Sequence, residues 1–184
     1  VVHTHSSKAG ILGRLAARLE AAPAVVHTIH GFGFTPLQRP PVRVLYRLAE
    51  RMAARWTDHV VAVSAVQREQ GAACGLYPLE CSSVIRAAVP LARFRDGDGA
   101  TVRRRLGLPE DVPVVTQVGN FKPQKGPLDF VRAAAVVAAH IPEARFVMVG
   151  EGPLRAAAEA LAGELGIADR VLFPGWWEDV PGLL

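Results

Sequence analysis

Short apolar runs alternate with longer amphipathic stretches along almost the whole chain. The apolar runs have the length of buried strands and cover 1–4, 24–28, 59–63, 83–85, 112–118, 145–149 and 170–173. The stretches between them have the apolar spacing of helices and cover 8–22, 42–56, 64–74, 127–140 and 153–165. Such alternation predicts βαβ units and parallel sheets covered on both faces, so we predict an α/β protein. One helix start has its own signature, because Ser64-Ala65-Val66-Gln67 has the pattern of a capping box.

The regular rhythm pauses between Arg86 and Val112. The intervening "AAVPLARFRDGDGATVRRRLGLPED" combines Pro, Gly and charged residues and contains no long apolar run, which is typical of a domain boundary. We therefore predict a partial N-terminal domain at 1–90, an interdomain linker at 91–111 and a partial C-terminal domain at 112–184.

Composition excludes several classes of protein. The 184 residues are 50% hydrophobic and 21% charged, which suits one sizeable core or two small ones. No apolar run approaches the roughly 20 residues of a membrane-spanning helix, and the first residues do not have the basic-then-apolar pattern of a leader peptide. Cys74 and Cys81 lack a C-x-x-C spacing, which predicts a reduced, cytoplasmic protein. Because the chain lacks an initiator Met and ends in "WEDVPGLL", which is typical of a helix start, we expect it to be a piece of a longer protein.

Two histidine pairs follow the first two strand-like runs, in "VVHTH" and "VVHTIH". Ligands of open parallel sheets bind beyond the carboxyl ends of the strands, where both pairs lie. His3 and His27 occupy matching places within the two runs, so we expect them to be core histidines with satisfied hydrogen bonds. His5 and His30 fall in the loops and are the better functional candidates.

A His-x-His pair at the end of a first strand also occurs in barrel-shaped metal hydrolases, where two imidazoles hold zinc. The other ligands of such a site are missing, because His59 starts a strand and His140 ends a helix. We therefore predict no metal site, and a metal-dependent hydrolase stays a less favoured alternative.

Two glycine loops in the second half have the chemistry of a phosphate site. In "VVTQVGNFKPQKGPLDFVRAAAVV", Gly119 opens a loop with two lysines, one of them Lys125, and a helix follows. In "FVMVGEGPLRAAAEAL", Gly150, Glu151 and Gly152 lie between strand and helix. Backbone amides at helix N-termini together with a nearby lysine suit phosphate oxygens, so we predict a nucleotide-diphosphate ligand. Neither loop is a Walker P-loop or a G-x-G-x-x-G.

Six segments, in this order and spacing, resemble the group 1, or family 4, retaining glycosyltransferases of the GT-B fold. They are "HTHSSKAGILGRLAAR", "HTIHGFGF", "VVAVSAVQREQG", "VGNFKPQKGPLDFVRAA", "VMVGEGPLR" and "LGIADRVLFPGWWEDVP". The resemblance implies two Rossmann-like domains with parallel sheets facing a cleft, both partial here. It also implies a sugar nucleotide held mainly by the C-terminal domain, no catalytic metal and no cofactor. The family's first glycine-rich loop and its paired-glutamate motif are not within the chain, which is thus expected to be incomplete at both ends.

The resemblance assigns roles position by position. Lys125 matches the lysine that neutralises the donor diphosphate, and His30 matches the histidine near the transferred sugar. The loop "GWWEDV" matches the one that borders the nucleotide base, and Asp179 in it occupies a position that the family shares. Trp176 or Trp177 is expected either to stack on the base or to be a packing residue. The implied donor-binding residues are Gly119, Asn120, Lys125, Gly150, Glu151, Gly152, Trp176 and Asp179, with His30 as the implied catalytic residue.

The chain departs from the family at two places. Asn120 stands where an arginine is common, so one diphosphate cation is absent, and Lys122 is a candidate to compensate. Ala87-Ala88 stands where the family often has a turn with glycine.

The resemblance implies a hexosyltransferase that moves a sugar from a nucleotide-diphosphate sugar to an acceptor, in cell-envelope polysaccharide or glycolipid synthesis, with no nucleic-acid partner. We expect this piece alone to be inactive. A sugar-nucleotide epimerase of the same fold is the main alternative. A nicotinamide oxidoreductase needs a G-x-G-x-x-G motif that is absent.

A basic stripe marks the stretch 42–56. Arg43, Arg47 and Arg51 recur every four residues on the predicted helix, and Glu50 is the only acid among them. One interpretation is a solvated helix face. The other is a peripheral contact with an anionic membrane, which suits the lipid-linked acceptors that the resembled family often uses.

Overall fold

The computed structural model describes residues 1–184. The chain forms two compact units, Val1–Val89 and Pro90–Leu184. Every predicted strand and helix is present, with ends that differ by a few residues from those predicted. The α/β prediction is therefore confirmed.

The first unit contains one parallel sheet in the order β1-β2-β3-β4. Its strands are β1 (Val2–His5), β2 (Val25–Ile29), β3 (His59–Ala62) and β4 (Ser82–Val84), and its helices are α1 (Ser7–Leu19), α2 (Pro40–Ala54) and α3 (Ala65–Ala73). A 3₁₀ turn, Leu79–Cys81, leads into β4. Because the strand order is sequential, right-handed crossovers place the helices on one face of the sheet.

Helix α1 approaches β2 closely because Gly10 leaves space for the ring of His27. A methyl group on Gly10 would lie 2.4 Å from Cε1 of His27. His27 is 3% exposed, and its Nδ1 lies 2.8 Å from the Thr4 hydroxyl. Burial, followed by the nearby Arg14 guanidinium, lowers the pKa of His27 to about 3. The buried ring is therefore neutral near physiological pH.

We expect His27 to make the first unit less stable in mild acid. In the unfolded chain a histidine has a pKa of about 6.5, whereas His27 in the folded chain titrates near 3, so between these values only the unfolded state takes up the proton. The stability that this group contributes is complete above the unfolded pKa and falls, as pH is lowered, by up to about 1.4 kcal/mol per pH unit. Urea unfolding should thus show a loss of about 2 kcal/mol at pH 5.

The matched variant is His27→Gln, which cannot take up a proton in this range. Its unfolding free energy should depend less steeply on pH than that of the parent. Equal slopes in the two proteins would show that His27 does not cause the loss.

Helix α2 packs on α1 around a buried ion pair. Nη2 of Arg14 donates to Oε2 of Glu50 at 2.6 Å, and Nε of Arg14 donates to the carbonyl of Gly10 at 2.9 Å. The two side chains are 2% and 8% exposed. The buried side of α2 therefore carries the negative charge of Glu50, which pairs with Arg14 on α1. The arginine stripe of α2 lies on its exposed side.

The second unit contains a parallel sheet in the order β5-β6-β7. Its strands are β5 (Val114–Val118), β6 (Arg145–Val149) and β7 (Val171–Gly175), and its longer helices are α6 (Pro127–His140) and α7 (Arg155–Glu164). The central strand β6 is buried on both sides: Phe146 and Met148 pack in one cluster, and Val147 and Val149 pack in another. This explains why the strand is continuously apolar from Phe146 to Val149.

The segment 91–111, predicted as a linker, contains two helices within the second unit, α4 (Leu91–Arg95) and α5 (Gly99–Leu106). Both pack against the final helix, α8 (Val180–Leu183). Val102 is buried, and Leu108 joins the cluster on β6, so short apolar contacts hold the segment to the sheet. No helix of the structure combines the length and apolar character needed to cross a membrane.

Candidate functional site

The two glycine loops of the second unit lie side by side at the carboxyl ends of β5 and β6. The amide of Gly119 donates to the carbonyl of Val149 at 2.9 Å, and the amide of Phe121 donates to the carbonyl of Glu151 at 3.0 Å. The amide of Gly150 donates in turn to the carbonyl of Gly175 at 2.9 Å. Backbone hydrogen bonds thus join the two loops to each other and the second loop to the end of β7.

A cavity of about 660 Å³ opens beside these loops. It brings together five of the predicted donor-binding residues, Gly119, Asn120, Lys125, Gly150 and Trp176, and is completed by Val118, Val149, Trp177, Glu178 and Val180. Lys125 is the only cation among the lining residues. Lys122, the candidate to replace the missing family arginine, does not line the cavity.

Lys125 is held by its backbone and leaves its ammonium group free. It ends a 3₁₀ turn, Pro123–Lys125, and its carbonyl accepts a 2.9 Å hydrogen bond from Nε2 of Gln117. Its aliphatic stem lies beside Gly119, and the ammonium group forms no ion pair. The next residue, Gly126, is a left-handed N-cap without a side chain, so no side chain caps the amides that begin α6. A free cation beside a helix N-terminus favours an anionic ligand.

Three of the predicted donor-binding residues do not line the cavity. Glu151 forms an ion pair with Arg155, which also binds Glu159 at 2.8 Å and the carbonyl of Phe173 at 2.8 Å. Gly152 packs against the backbone of Phe121, where a methyl group would lie 2.7 Å from the carbonyl oxygen. Asp179 caps α8 by accepting from the amide of Gly182 at 3.1 Å. Each of these residues thus has a contact within the protein that shapes the loops.

The two tryptophans of "GWWEDV" have different environments. Trp176 is 75% exposed and lines the cavity, so its ring is free to stack on a flat ligand. Trp177 is half-buried, packs against the cluster that contains Val147 and lies 4.5 Å below the Arg105 guanidinium. Of the two candidates for stacking on a base, Trp176 is the accessible one.

The histidines of the first unit lie on two sides of its sheet. The two Val-Val-His-Thr motifs lie 24 positions apart in the sequence, as His3 and His27 show. Residues paired between β1 and β2, such as Val2 and Val25, lie only 23 positions apart. This one-residue offset puts the two histidines on opposite faces. His27 is buried as predicted, whereas the core prediction for His3 is wrong, because its exposed ring binds the Thr28 hydroxyl at 2.8 Å.

His5 and His30, the two loop candidates, meet directly. Nδ1 of His5 lies 3.1 Å from Nε2 of His30, and both side chains are exposed. The carbonyl of His30 accepts a 3.3 Å hydrogen bond from Nε2 of Gln67. Oε1 of Gln67 has no hydrogen-bond partner, so Gln67 does not complete the capping box, although Ser64 accepts from its amide at 3.2 Å as expected.

The structure contains no group of three or more His, Cys, Asp or Glu side chains arranged to hold a metal ion.

The sequence did not reveal the His5–His30 contact, because the sheet register that creates it is a tertiary property. The Glu151–Arg155–Glu159 pairs, by contrast, carry an i, i+4 spacing that the sequence shows. What the arrangement offers chemically is an aromatic cavity with one unpaired lysine in one unit and a pair of solvent-facing imidazoles in the other.

Comparisons with known proteins agree with this architecture. Residues 1–93 match the family described as Glycosyltransferase Family 4, and residues 98–184 match Glycosyl transferases group 1. The chain is 38% identical to the UDP-Gal:alpha-D-GlcNAc-diphosphoundecaprenol alpha-1,3-galactosyltransferase of Escherichia coli, over 100% of this chain and 49% of that protein. It is 34% identical to the D-inositol 3-phosphate glycosyltransferase of Thermobispora bispora, over 93% of this chain and 43% of that protein.

A solved structure, Anabaena HepE in complex with UDP and glucose, superposes with a TM-score of 0.81 at 22% identity, over 98% of this chain and 49% of that one. The chain thus spans about half the length of the relatives it matches, and the GT-B fold is present in part. The ordered motifs, the two parallel sheets and the two family matches agree. The chain belongs to the family 4, or group 1, glycosyltransferases.

Proposed function

We propose that the full-length protein transfers a sugar from a nucleotide-diphosphate sugar to an acceptor, with retention at the anomeric carbon. One observation carries the proposal: Lys125, the only cation of the loop cavity, has no acidic partner and lies beside a helix start that no side chain caps. The UDP and glucose in the HepE complex support the same ligand class.

The proposed mechanism follows from the charges that develop during transfer. Breaking the bond between sugar and diphosphate leaves negative charge on the departing phosphates and positive character on the anomeric carbon. Lys125 and the free amides at the start of α6 would stabilise the departing phosphates. With retention and no assigned protein nucleophile, the acceptor attacks on the face that the leaving phosphate vacates. We assign no catalytic base.

The remaining residues of the proposed site have supporting roles. Trp176 stacks on the nucleotide base, and His30 contacts the transferred sugar, as in the family pattern. Gly119, Asn120 and Gly150 let the donor approach the loop backbone. Glu151, Gly152 and Asp179, the other proposed donor-binding residues, also keep the loops in shape through Arg155, Phe121 and Gly182.

The proposed acceptor is lipid-linked, in cell-envelope polysaccharide or glycolipid synthesis. The E. coli relative is named for a diphosphoundecaprenol-linked sugar, which supports this class. The free thiols of Cys74 and Cys81 are compatible with a reducing, cytoplasmic location.

The transfer assay separates the proposal from its main alternative. Full-length protein is incubated with UDP-galactose or another nucleotide sugar, with and without a lipid-diphosphate sugar acceptor. A glycosyltransferase forms a new glycosidic product only when acceptor is present, whereas an epimerase converts the nucleotide sugar to an isomer without it. The 184-residue chain alone, assayed in parallel, should give little or no product.

The exposed side of α2 is the proposed membrane contact. Arg43, Arg47 and Arg51 are exposed and form no ion pair. Large apolar side chains share this exposure, namely Val44, Leu45, Leu48 and Met52. Basic and apolar groups together on one exposed helix favour an anionic lipid surface.

We expect the full-length protein to co-sediment with vesicles that contain anionic lipid and not with zwitterionic vesicles. Each arginine near the surface contributes about 1 kcal/mol, so replacing Arg43, Arg47 and Arg51 with Gln should remove most of the binding. Added salt should weaken it. The control replaces Arg93, Arg95 and Arg104 with Gln, which changes the net charge equally on other helices. If both triple variants sediment alike, the stripe on α2 is only a solvated face.

A further inference from the structure

Two imidazole rings from neighbouring strand ends are joined by a direct hydrogen bond. His5 ends β1, and His30 follows β2, the strand paired with it. Nδ1 of His5 lies 3.1 Å from Nε2 of His30, and the ring centroids are 5.3 Å apart at an interplanar angle of 28°. The contact uses Nδ1 of His5 and Nε2 of His30, so the other nitrogen of each ring lies outside it.

A hydrogen bond between two imidazoles needs one N–H and one lone pair. It therefore excludes a state in which both rings are protonated, and it ties the tautomer of one ring to that of the other. In water the Nε2–H form of neutral histidine is favoured. The matching arrangement has Nε2–H of His30 donating to Nδ1 of His5. The other nitrogen of His30, Nδ1, then keeps its lone pair and has no protein partner.

The surroundings hold both rings and favour the neutral state of His5. His3 lies against His5 with ring centroids 4.4 Å apart and is itself fixed by the Thr28 hydroxyl. Partial desolvation, then the neighbouring His3 and His30, lower the pKa of His5. The buried His27 also interacts electrostatically with His5 and His3, and no carboxylate shifts the pKa of His5. Gln67 fixes the backbone of His30 through its carbonyl.

We infer that His5 is a positioning residue, which fixes the orientation and tautomer of His30 so that Nδ1 of His30 accepts a hydrogen bond from a hydroxyl of the bound sugar. The inference rests on the proposed function, in which His30 contacts the transferred sugar. His5 acts through His30 and does not itself touch substrate.

The first test compares three variants of the full-length protein in the transfer assay. His5→Phe keeps an aromatic ring but removes the acceptor nitrogen, and kcat should fall about 10- to 100-fold because His30 is no longer held. His5→Asn places an amide oxygen near the position of Nδ1, so kcat should return to within about threefold of the parent. His3→Phe changes the adjacent ring but leaves the hydrogen bond between His5 and His30 in place, so its kcat should also stay within about threefold of the parent.

The second test does not depend on activity. Nitrogen-15 NMR of labelled histidine reports the tautomer of each ring. His30 should show a single Nε2–H tautomer in the parent and in His5→Asn, and a mixture of tautomers in His5→Phe. A tautomer mixture in the parent would overturn the inference.

The two tests also separate a failure of the inference from a failure of the proposed function. If His30→Phe is inactive while His5→Phe keeps the parent kcat, His30 acts without His5, and the inference is wrong. If His30→Phe and His5→Phe are both fully active, the proposed role of His30 fails, and the inference fails with it. Loss of activity in His5→Phe without rescue by His5→Asn would show that the ring, and not its hydrogen bond, is needed, which also overturns the inference.

Discussion

Glu50→Ala should destabilise the first unit by about 3 to 5 kcal/mol, the cost of removing one partner from a buried ion pair. The Arg14 guanidinium is 2% exposed, and Glu50 is the only carboxylate that pairs with it. Without that partner the charge stays in a poorly solvated place between α1 and α2. Urea unfolding should show the loss, and hydrogen exchange should show faster exchange at the amides of both helices.

Two further variants separate the charge from the packing. Glu50→Gln keeps the shape and one acceptor oxygen, so it should cost less than Glu50→Ala. The double variant Arg14→Met with Glu50→Leu removes both charges, and it should recover most of the stability that Glu50→Ala loses. If Glu50→Ala lowers the unfolding free energy by less than about 1 kcal/mol, the pair does not anchor α2.

Gly150→Ala should damage the second unit by about 3 kcal/mol or more, through backbone strain and overlap together. Gly150 has φ of 132°, where residues with a side chain are strained. Its added methyl group would lie 2.1 Å from the carbonyl oxygen of Gly119, which belongs to the other loop. The two loops are hydrogen-bonded to each other, so a methyl group that pushes them apart would also disrupt the cavity beside them.

Gly163→Ala is the matched control, because it lies in α7 and a methyl group there would meet nothing within 4 Å. Alanine is favoured over glycine in helices by about 1 kcal/mol, so this variant should be neutral or slightly more stable. Thermal unfolding of the two variants, together with UDP binding, measures both effects. Equal stability of Gly150→Ala and Gly163→Ala would contradict the close approach of the two loops.

The sequence was most informative where one local rule decides the structure. Strand β6 occupies 145–149 and helix α6 occupies 127–140, as predicted, because a continuous apolar run and a Pro-started amphipathic stretch leave few alternatives. The segment 91–111 was less predictable. Its helices are short and mostly exposed, so their apolar pattern is weak, and they depend on contacts with α8 at the far end of the chain.

The candidate site divides in a similar way. Gly119 follows β5 and Gly150 follows β6, and these two strands are parallel neighbours in the sheet. That the two glycines lie close together could therefore be predicted from topology alone. The separate environments of Trp176 and Trp177 could not, because which of two adjacent rings packs inward depends on the partner, Arg105, from another helix. The opposite faces of His3 and His27 depend on a register of one residue, which the repeated Val-Val-His-Thr motif obscures.

Lys125 is the residue on which the proposed function depends most, and its test needs neither the acceptor nor the transferred sugar. Calorimetric titration of UDP into full-length protein measures the contribution of the ammonium group directly. A charge-assisted hydrogen bond contributes about 1.5 to 3 kcal/mol. Lys125→Ala should therefore weaken UDP binding by about 10- to 160-fold.

Lys122→Ala provides the control in the same titration, because this lysine is exposed, belongs to the same loop and does not line the cavity. We expect its dissociation constant for UDP to stay close to that of the parent while that of Lys125→Ala rises. If Lys125→Ala binds UDP as tightly as the parent, the loop cavity is not the nucleotide-diphosphate site.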